Sequence, residues 1–387
     1  MRNTFYLIFL VSFGYFATDI YLPSLPAIAE YFGASESTSQ MTLLGFILSF
    51  SVAPLFFGPL ADAWGRKKII LLGLIMSMIA TLGCVVSPSI DWLIGMRVFQ
   101  GIGAGAVVIG GRAMIPDLYK GKEMAKQLTY MTMCIPVIMV SAPVIGGFIQ
   151  KYYGWREVFV FLIAYSIVIL IYSLTRMETI KEKRHRSVRE MIHIYWHLLK
   201  HKEFVRYGLI FSLPSIGMFA YVTASPFLLQ STLGLGPEEF GLLSIFFGAT
   251  IITFSSLNAR LLKAMEIRSI IRIGTFLVIV SGVLMIFAQS TGLLNTWTVI
   301  APSLVYFTCI SLICGNAASL ANSQLSEHFG SANALLACTQ FVFGAIGCFI
   351  FSIIPDVSLF PLGICYMLVG LSLVYFLKPR RVLPISS

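Results

Sequence analysis

Charge is what this sequence lacks. Only 11% of its 387 residues are Asp, Glu, Lys or Arg, where a water-soluble domain carries roughly a quarter. With 57% of residues hydrophobic, too few polar side chains remain to cover a water-soluble core. Other absences narrow the function. No GxxxxGK[ST] loop occurs, so no ATPase module is readable, and neither HExxH nor GxSxG is present. These gaps leave no enzyme to propose and no cofactor to place. The seven cysteines (Cys84, Cys134, Cys309, Cys314, Cys338, Cys348 and Cys365) lie in apolar stretches without metal-ligand spacing. They read as small packing residues, not as a zinc site or a disulfide framework.

Long apolar runs are what the sequence has. A bilayer core needs about 20 apolar residues per helix. Twelve runs qualify: 4–24, 40–61, 69–87, 92–113, 124–149, 155–175, 204–229, 239–262, 269–288, 297–320, 333–354 and 359–377. The first follows Arg2 but lacks a small-residue cleavage pattern, so it reads as a transmembrane helix and not as a signal peptide. The expected fold is an all-α membrane protein with twelve transmembrane helices.

The net charge of +10 raises the question of nucleic acid. Its distribution answers with topology instead. If the N-terminus is cytoplasmic, all of the 27 basic residues fall in cytoplasmic segments except Arg97, Arg112, Lys151 and Arg156. No nucleic-acid partner is needed, and both termini are expected in the cytoplasm.

Residues 176–203 divide the spans six and six. The expected organisation is an N-terminal bundle at 1–175, a cytoplasmic linker at 176–203 and a C-terminal bundle at 204–387. In the linker, Ser187 and Glu190 form a capping-box pattern ahead of Met191, Ile194, Tyr195, Leu198 and Leu199 at helical spacing. The spacing predicts an amphipathic surface helix. His193, His197 and His201 stand four residues apart on it and read as a solvated face, with metal binding or pH sensing as the alternative. The halves also correspond faintly. "ATDIYLP" and "AYVTASP" each place a proline late in the first helix of a half, and "GPLADAWGRKK" has a degraded counterpart in "NARLLKAMEIR". Such repeats predict a transporter of two six-helix bundles.

Polar residues inside the spans are the candidate site. Asp19 is the one acidic residue placed well inside a predicted span, where a carboxylate either pairs with a cation or exchanges a proton. Arg97, a turn or two into the fourth span, is its natural partner, with Gln100 one turn away. Arg112, 15 residues on, falls near the cytoplasmic end of much the same face; its alternative is snorkelling to headgroups. Tyr15, Gln100, Arg112, Tyr130, Met218 and Tyr221 are candidate cavity residues. "GPLADAWGRKK" places Gly58, Asp62, Gly65 and Arg66 in a tight cytoplasmic turn whose charges can latch one conformation. A channel is disfavoured, since one aspartate and two arginines make no ring around a pore.

These residues resemble the major facilitator superfamily. "GPLADAWGRKK" is similar to its signature loop, "RVFQG" to the motif carrying its proton-linked arginine (here Arg97), and "SAPVIGG" to the fifth-span motif of drug/proton antiporters. "TDIYLPSLP" and "FAYVTASPFLLQ" resemble the bicyclomycin/chloramphenicol resistance family. The resemblance implies the major facilitator fold, a bacterial inner-membrane location, alternating access and proton exchange. It implies export of a small organic compound or drug, with Asp19 and Arg97 in proton coupling and Asp62 and Arg66 in a gate. Pro143, Gly146 and Gly147 would let span 5 bend and pack. The expected partners are a small-molecule substrate, protons and the lipid bilayer, with the protein a monomer. The second reading is a transporter of a carboxylate-rich metabolite such as a siderophore, since two arginines against one aspartate suit an anionic cargo.

Overall fold

The computed structural model describes residues 2–176, 188–323, 329–354 and 358–378. Every regular element among them is helical, and twelve helices are long and apolar enough to cross a membrane. They are span 1, Thr4–Phe32; span 2, Glu36–Trp64; span 3, Arg66–Val85; span 4, Ile90–Ile115; span 5, Cys134–Tyr152; and span 6, Trp155–Thr175. Span 7 is Lys202–Thr232; span 8, Pro237–Leu261; span 9, Ile267–Ser290; span 10, Thr296–Asn322; span 11, Gly330–Ser352; and span 12, Leu359–Leu377. The start of span 1 and the end of span 12 lie on one face, called here the terminal face; the other is the distal face.

Span 1 is longer than the apolar run predicts, because its prolines restart the helix instead of ending it. The first segment, Arg2–Asp19, gives way to a 3-10 turn at Leu22–Ser24 and resumes as Leu25–Phe32. Pro23 and Pro26 each sit in the first turn of a segment, where a missing N–H costs nothing. Gly33 ends the span with φ at 58°, a conformation in which other residues are strained. Span 7 is broken at the matching place: after Pro226 the chain widens into a π-helical turn, Phe227–Thr232. The two broken segments touch at the distal face.

Spans 1–6 and 7–12 pack as two bundles, and a seam between them is lined by spans 2 and 5 on one side and 11 and 8 on the other. The contacts across it run from the distal ends to mid-membrane. The Ser37 hydroxyl donates to the Ser352 carbonyl, the Phe50 and Phe341 rings meet at 4.9 Å, and Cys338 Sγ lies 3.3 Å from the Ser51 carbonyl. Between spans 5 and 8, Ser244 Oγ donates to the Val140 carbonyl at 3.0 Å, and Lys151 pairs with Glu238. A Cβ on Gly147 would overlap the Pro237 carbonyl, and one on Gly146 would overlap that of Ile20. Span 5 thus packs backbone to backbone on the break in span 1 and on the start of span 8, as small residues allow.

The apolar side of the linker helix, Val188–Lys200, does not face lipid. Leu198 is fully buried and Ile194 and Tyr195 half-buried, packed against the first helical segment of span 7 and against span 11. The protein uses that stripe itself, leaving Trp196 and Leu199 outside. His201 is not on this helix: it caps span 7, its Nδ1 accepting the Phe204 N–H at 3.3 Å. His193 and His197 are exposed, and the described residues hold no cluster able to bind a metal. Ser187 and the Glu190 side chain lie outside the described residues.

Crossings inside a bundle are equally tight. A Cβ on Gly103 in span 4 would meet the Gly73 carbonyl and the Ser77 backbone of span 3, whereas one on Gly58 meets nothing. Gly103→Val should therefore lower the melting temperature of the purified protein, at a cost of about 1–3 kcal/mol. Gly58→Ala should hold or raise it, by about 0.5–1 kcal/mol. Equal losses at both sites would refute the packing described.

Candidate functional site

Burying a guanidinium in an apolar bundle requires a partner for its charge, and Arg97 finds one that the sequence does not suggest. It is fully buried, with Cζ 4.0 Å from the centre of the Tyr21 ring and 4.2 Å from that of Phe46. Two aromatic faces thus hold the cation in place of a carboxylate. Nη1 donates to the Ala17 carbonyl at 3.2 Å, in the last turn before the break in span 1, and to Gln100 Oε1. Gln100 in turn donates to Thr81 Oγ1 at 2.8 Å. Arg97 of span 4 is tied in this way to spans 1, 2 and 3.

Asp19 closes the first segment of span 1 and is 8% exposed. Among the described residues, no Lys, Arg or His forms an ion pair with it. The expected Asp19–Arg97 pair is not made in this arrangement. Burial penalises a charged carboxylate, and a neighbouring cation is what would offset the penalty. Asp19 is thus left without a counter-charge among the described residues, next to Ile20, on whose carbonyl Gly146 packs.

The six cavity candidates separate. Arg112 Nη2 donates to the Tyr15 hydroxyl at 2.8 Å, and the Tyr15 ring lies 6.0 Å from Phe341 across the seam. Both side chains are half-buried. Together with Phe50 and Phe219, whose rings lie 4.9 Å and 6.1 Å from Phe341, they form an aromatic and cationic patch where the bundles meet. Gln100 does not line it, being buried on Arg97. Tyr221 packs in an aromatic group with Phe247 and Phe307, at 4.9 and 5.6 Å. Met218 is buried in span 7, and Tyr130 lies exposed beside Lys126.

The signature loop is narrower than its motif. Gly58 and Asp62 belong to span 2; only Gly65, with φ at 92°, makes the turn. Arg66 pairs with Asp62 and also reaches Asp117, with Nε 3.1 Å from Oδ2. The charges therefore join spans 2 and 3 to the end of span 4, all within one bundle. Asp62 also lies near Tyr195 of the linker helix, whose phenol is pushed above its ordinary pKa chiefly by burial, with Asp62 adding to the effect. Pro143, Gly146 and Gly147 lie in one continuous helix, Gly121–Tyr152, and a Cβ on Gly241 of span 8 would overlap the Pro143 carbonyl.

Sequence reasoning missed three groups here. Asp117 reads as an ordinary loop acid, Phe341 as one more apolar residue, and Lys151 and Glu238 as separate ends of spans. The only signal for the last two is their opposite charge on one membrane face.

Comparison with known proteins agrees with this geometry. The profile described as Major Facilitator Superfamily matches residues 7–352. A bicyclomycin resistance protein homolog of Haemophilus influenzae is 30% identical over 379 residues, covering 95% of this chain and 94% of that protein. Multidrug resistance protein D of Escherichia coli is 26% identical, covering 95% and 93%. Among solved structures, a D-xylose-proton symporter superposes with a TM-score of 0.73 at 16% identity, over 97% of this chain and 98% of the other. Twelve apolar spans, a two-bundle arrangement and these matches establish a multi-pass membrane transporter and not an enzyme, and the chain belongs to the Major Facilitator Superfamily.

Proposed function

We propose that this protein is a proton-coupled efflux antiporter that exports small neutral or anionic organic compounds across the bacterial inner membrane by alternating access. The observation that carries the proposal is Asp19: a carboxylate inside span 1, buried and without an ion-pair partner among the described residues, at the one point where the span breaks. Such a group suits proton binding better than helix locking. Its neighbour Ile20 touches Gly146, and Gly147 touches the Pro237 and Glu238 backbone of the other bundle. A change of charge at Asp19 is therefore two contacts away from the seam. The relatives named for bicyclomycin and multidrug resistance support a drug-like cargo. Residues 1–175 and 204–387 act as the two moving bundles, joined by the linker, with both termini in the cytoplasm. Asp62, Arg66 and Asp117 set the cytoplasmic gate through the linker helix.

Cargo engages Arg112 and Tyr15 beside Phe341. Arg97 does not serve as a second cationic contact, since Tyr21 and Phe46 cover it. This weakens the siderophore reading, which needs two free arginines. Arg112 alone still disfavours lipophilic cations.

Asp19→Asn should abolish transport driven by an imposed pH gradient in proteoliposomes while the protein still folds and inserts. Wild-type flux in the Asn variant would sink the coupling role. Arg112→Ala should weaken recognition of an anionic competitor by about 1.5–3 kcal/mol, the worth of hydrogen bonds to a charged group, and should improve competition by a cationic dye against a neutral transported compound. Unchanged inhibition by both would leave Arg112 as a headgroup anchor.

A further inference from the structure

The distal part of the seam buries polar groups that have no partner among the described residues. Gln40 of span 2 is fully buried, and neither its amide nitrogen nor its oxygen makes a hydrogen bond. It lies on the face of span 2 that carries Ser37, whose hydroxyl meets the Ser352 carbonyl of span 11. Ser352 Oγ is itself without a partner, as is Ser24 Oγ in the 3-10 turn of span 1, which touches spans 7 and 8. Gln230 Nε2 lies in the π-helical turn of span 7 and Gln150 Oε1 near the end of span 5, and both are unpartnered. Glu238 uses one oxygen on Lys151 and leaves the other without a bond.

A buried donor or acceptor without a partner costs its full desolvation penalty, and an apolar side chain of the same shape would remove that cost. A seam meant only to stay shut would carry leucine or methionine at these places, as its middle carries Phe50, Phe219 and Phe341. The unpaired groups come from spans 1, 2, 5, 7, 8 and 11, so they are not a defect of one helix. Parting of the seam and entry of a polar medium would satisfy them together. Glutamine supplies both donor and acceptor, and Ser24, Gln40, Gln150, Gln230 and Ser352 themselves carry no charge.

We propose that Ser24, Gln40, Gln150, Gln230 and Ser352 form a neutral polar binding surface on the distal side, exposed when the seam opens, that takes the amide, hydroxyl and carbonyl groups of uncharged cargo. The cargo assignment rests on the transport function proposed above; the opening of the surface does not. Closure of the seam strips its hydrogen bonds, which favours release of cargo before closure and keeps the closed arrangement from becoming a trap.

The test is hydrogen–deuterium exchange of the full chain in lipid nanodiscs, read over residues 20–45 and 226–240. Gln40→Met keeps the shape and removes both orphan atoms. It should slow exchange in these segments about tenfold, the shift expected for relief of one such penalty, while Gln40→Asn stays within about twofold of wild type. Exchange in Gln40→Met equal to wild type, or faster, would overturn the proposal. If that variant does not fold, Ser24→Ala combined with Ser352→Ala decides on the same segments, with unchanged exchange again overturning it. Chloramphenicol, a neutral amide, should alter exchange there in wild type and much less in Gln40→Met. An equal response in both would overturn the cargo assignment, and no response in either would point to failure of the drug-transport reading, with the exchange difference between variants still deciding whether the surface opens.

Discussion

A guanidinium that has no counter-charge among the described residues ties four spans of the N-terminal bundle together. Arg97 lies between the rings of Tyr21 and Phe46, bonds the Ala17 carbonyl and reaches Thr81 through Gln100. Four spans converge on this one cation. Their packing fixes where span 1 breaks, because the bonded carbonyl lies in the last turn before the 3-10 segment. Nε and Nη2 of Arg97 have no partner, so aromatic faces carry much of the burden that a carboxylate would otherwise share. Desolvated cation–π contacts of this kind contribute about 2 kcal/mol or more each. The arrangement leaves Asp19 free of a permanent ion pair.

The break in span 1 also lies against the seam between the bundles. Ile20, next to Asp19, meets Gly146, while Gly147 meets the first residues of span 8. Two adjacent glycines on one helix thus touch the broken segment of span 1 in one bundle and the backbone of the other. Side chains at either place would hold these backbones apart. Mid-membrane, the seam is aromatic, with Arg112 and Tyr15 beside Phe341; distally, it is polar and poorly satisfied. A seam of this composition can close without being locked, and the single Lys151–Glu238 pair at its rim, 43% and 16% exposed, adds only the modest stabilisation of a solvent-screened ion pair.

The fold was legible because the bilayer imposes a strong rule: spans must be long and apolar, so twelve runs gave twelve helices, with bounds that agree closely except at the end of span 1 and the start of span 5. Prolines misled at span 1, where Pro23 and Pro26 start segments and do not end the span. The linker stripe of Ile194, Tyr195 and Leu198 was rightly periodic, but periodicity does not say whether protein or lipid covers it. Asp19 stood out because a carboxylate is rare in such a setting. Its relation to Arg97 was not legible, since opposite charges in facing spans suggest a pair, and only the fold shows the guanidinium stacked on Tyr21 and Phe46 instead. Phe341 and Gln40 carried no signal at all: one is a phenylalanine among 31, the other a glutamine near a helix end. Their roles arise from the seam, which belongs to neither half of the sequence alone.

In the transport cycle we propose, Asp19 exchanges its proton against cargo without Arg97 as its permanent partner. The direct measurement is proton release on cargo binding to the purified protein, followed with a pH indicator in lightly buffered solution. Wild type should release about one proton per bound cargo, and Asp19→Asn, still binding, should release none. Equal release from both proteins, or none from wild type, would contradict the claim.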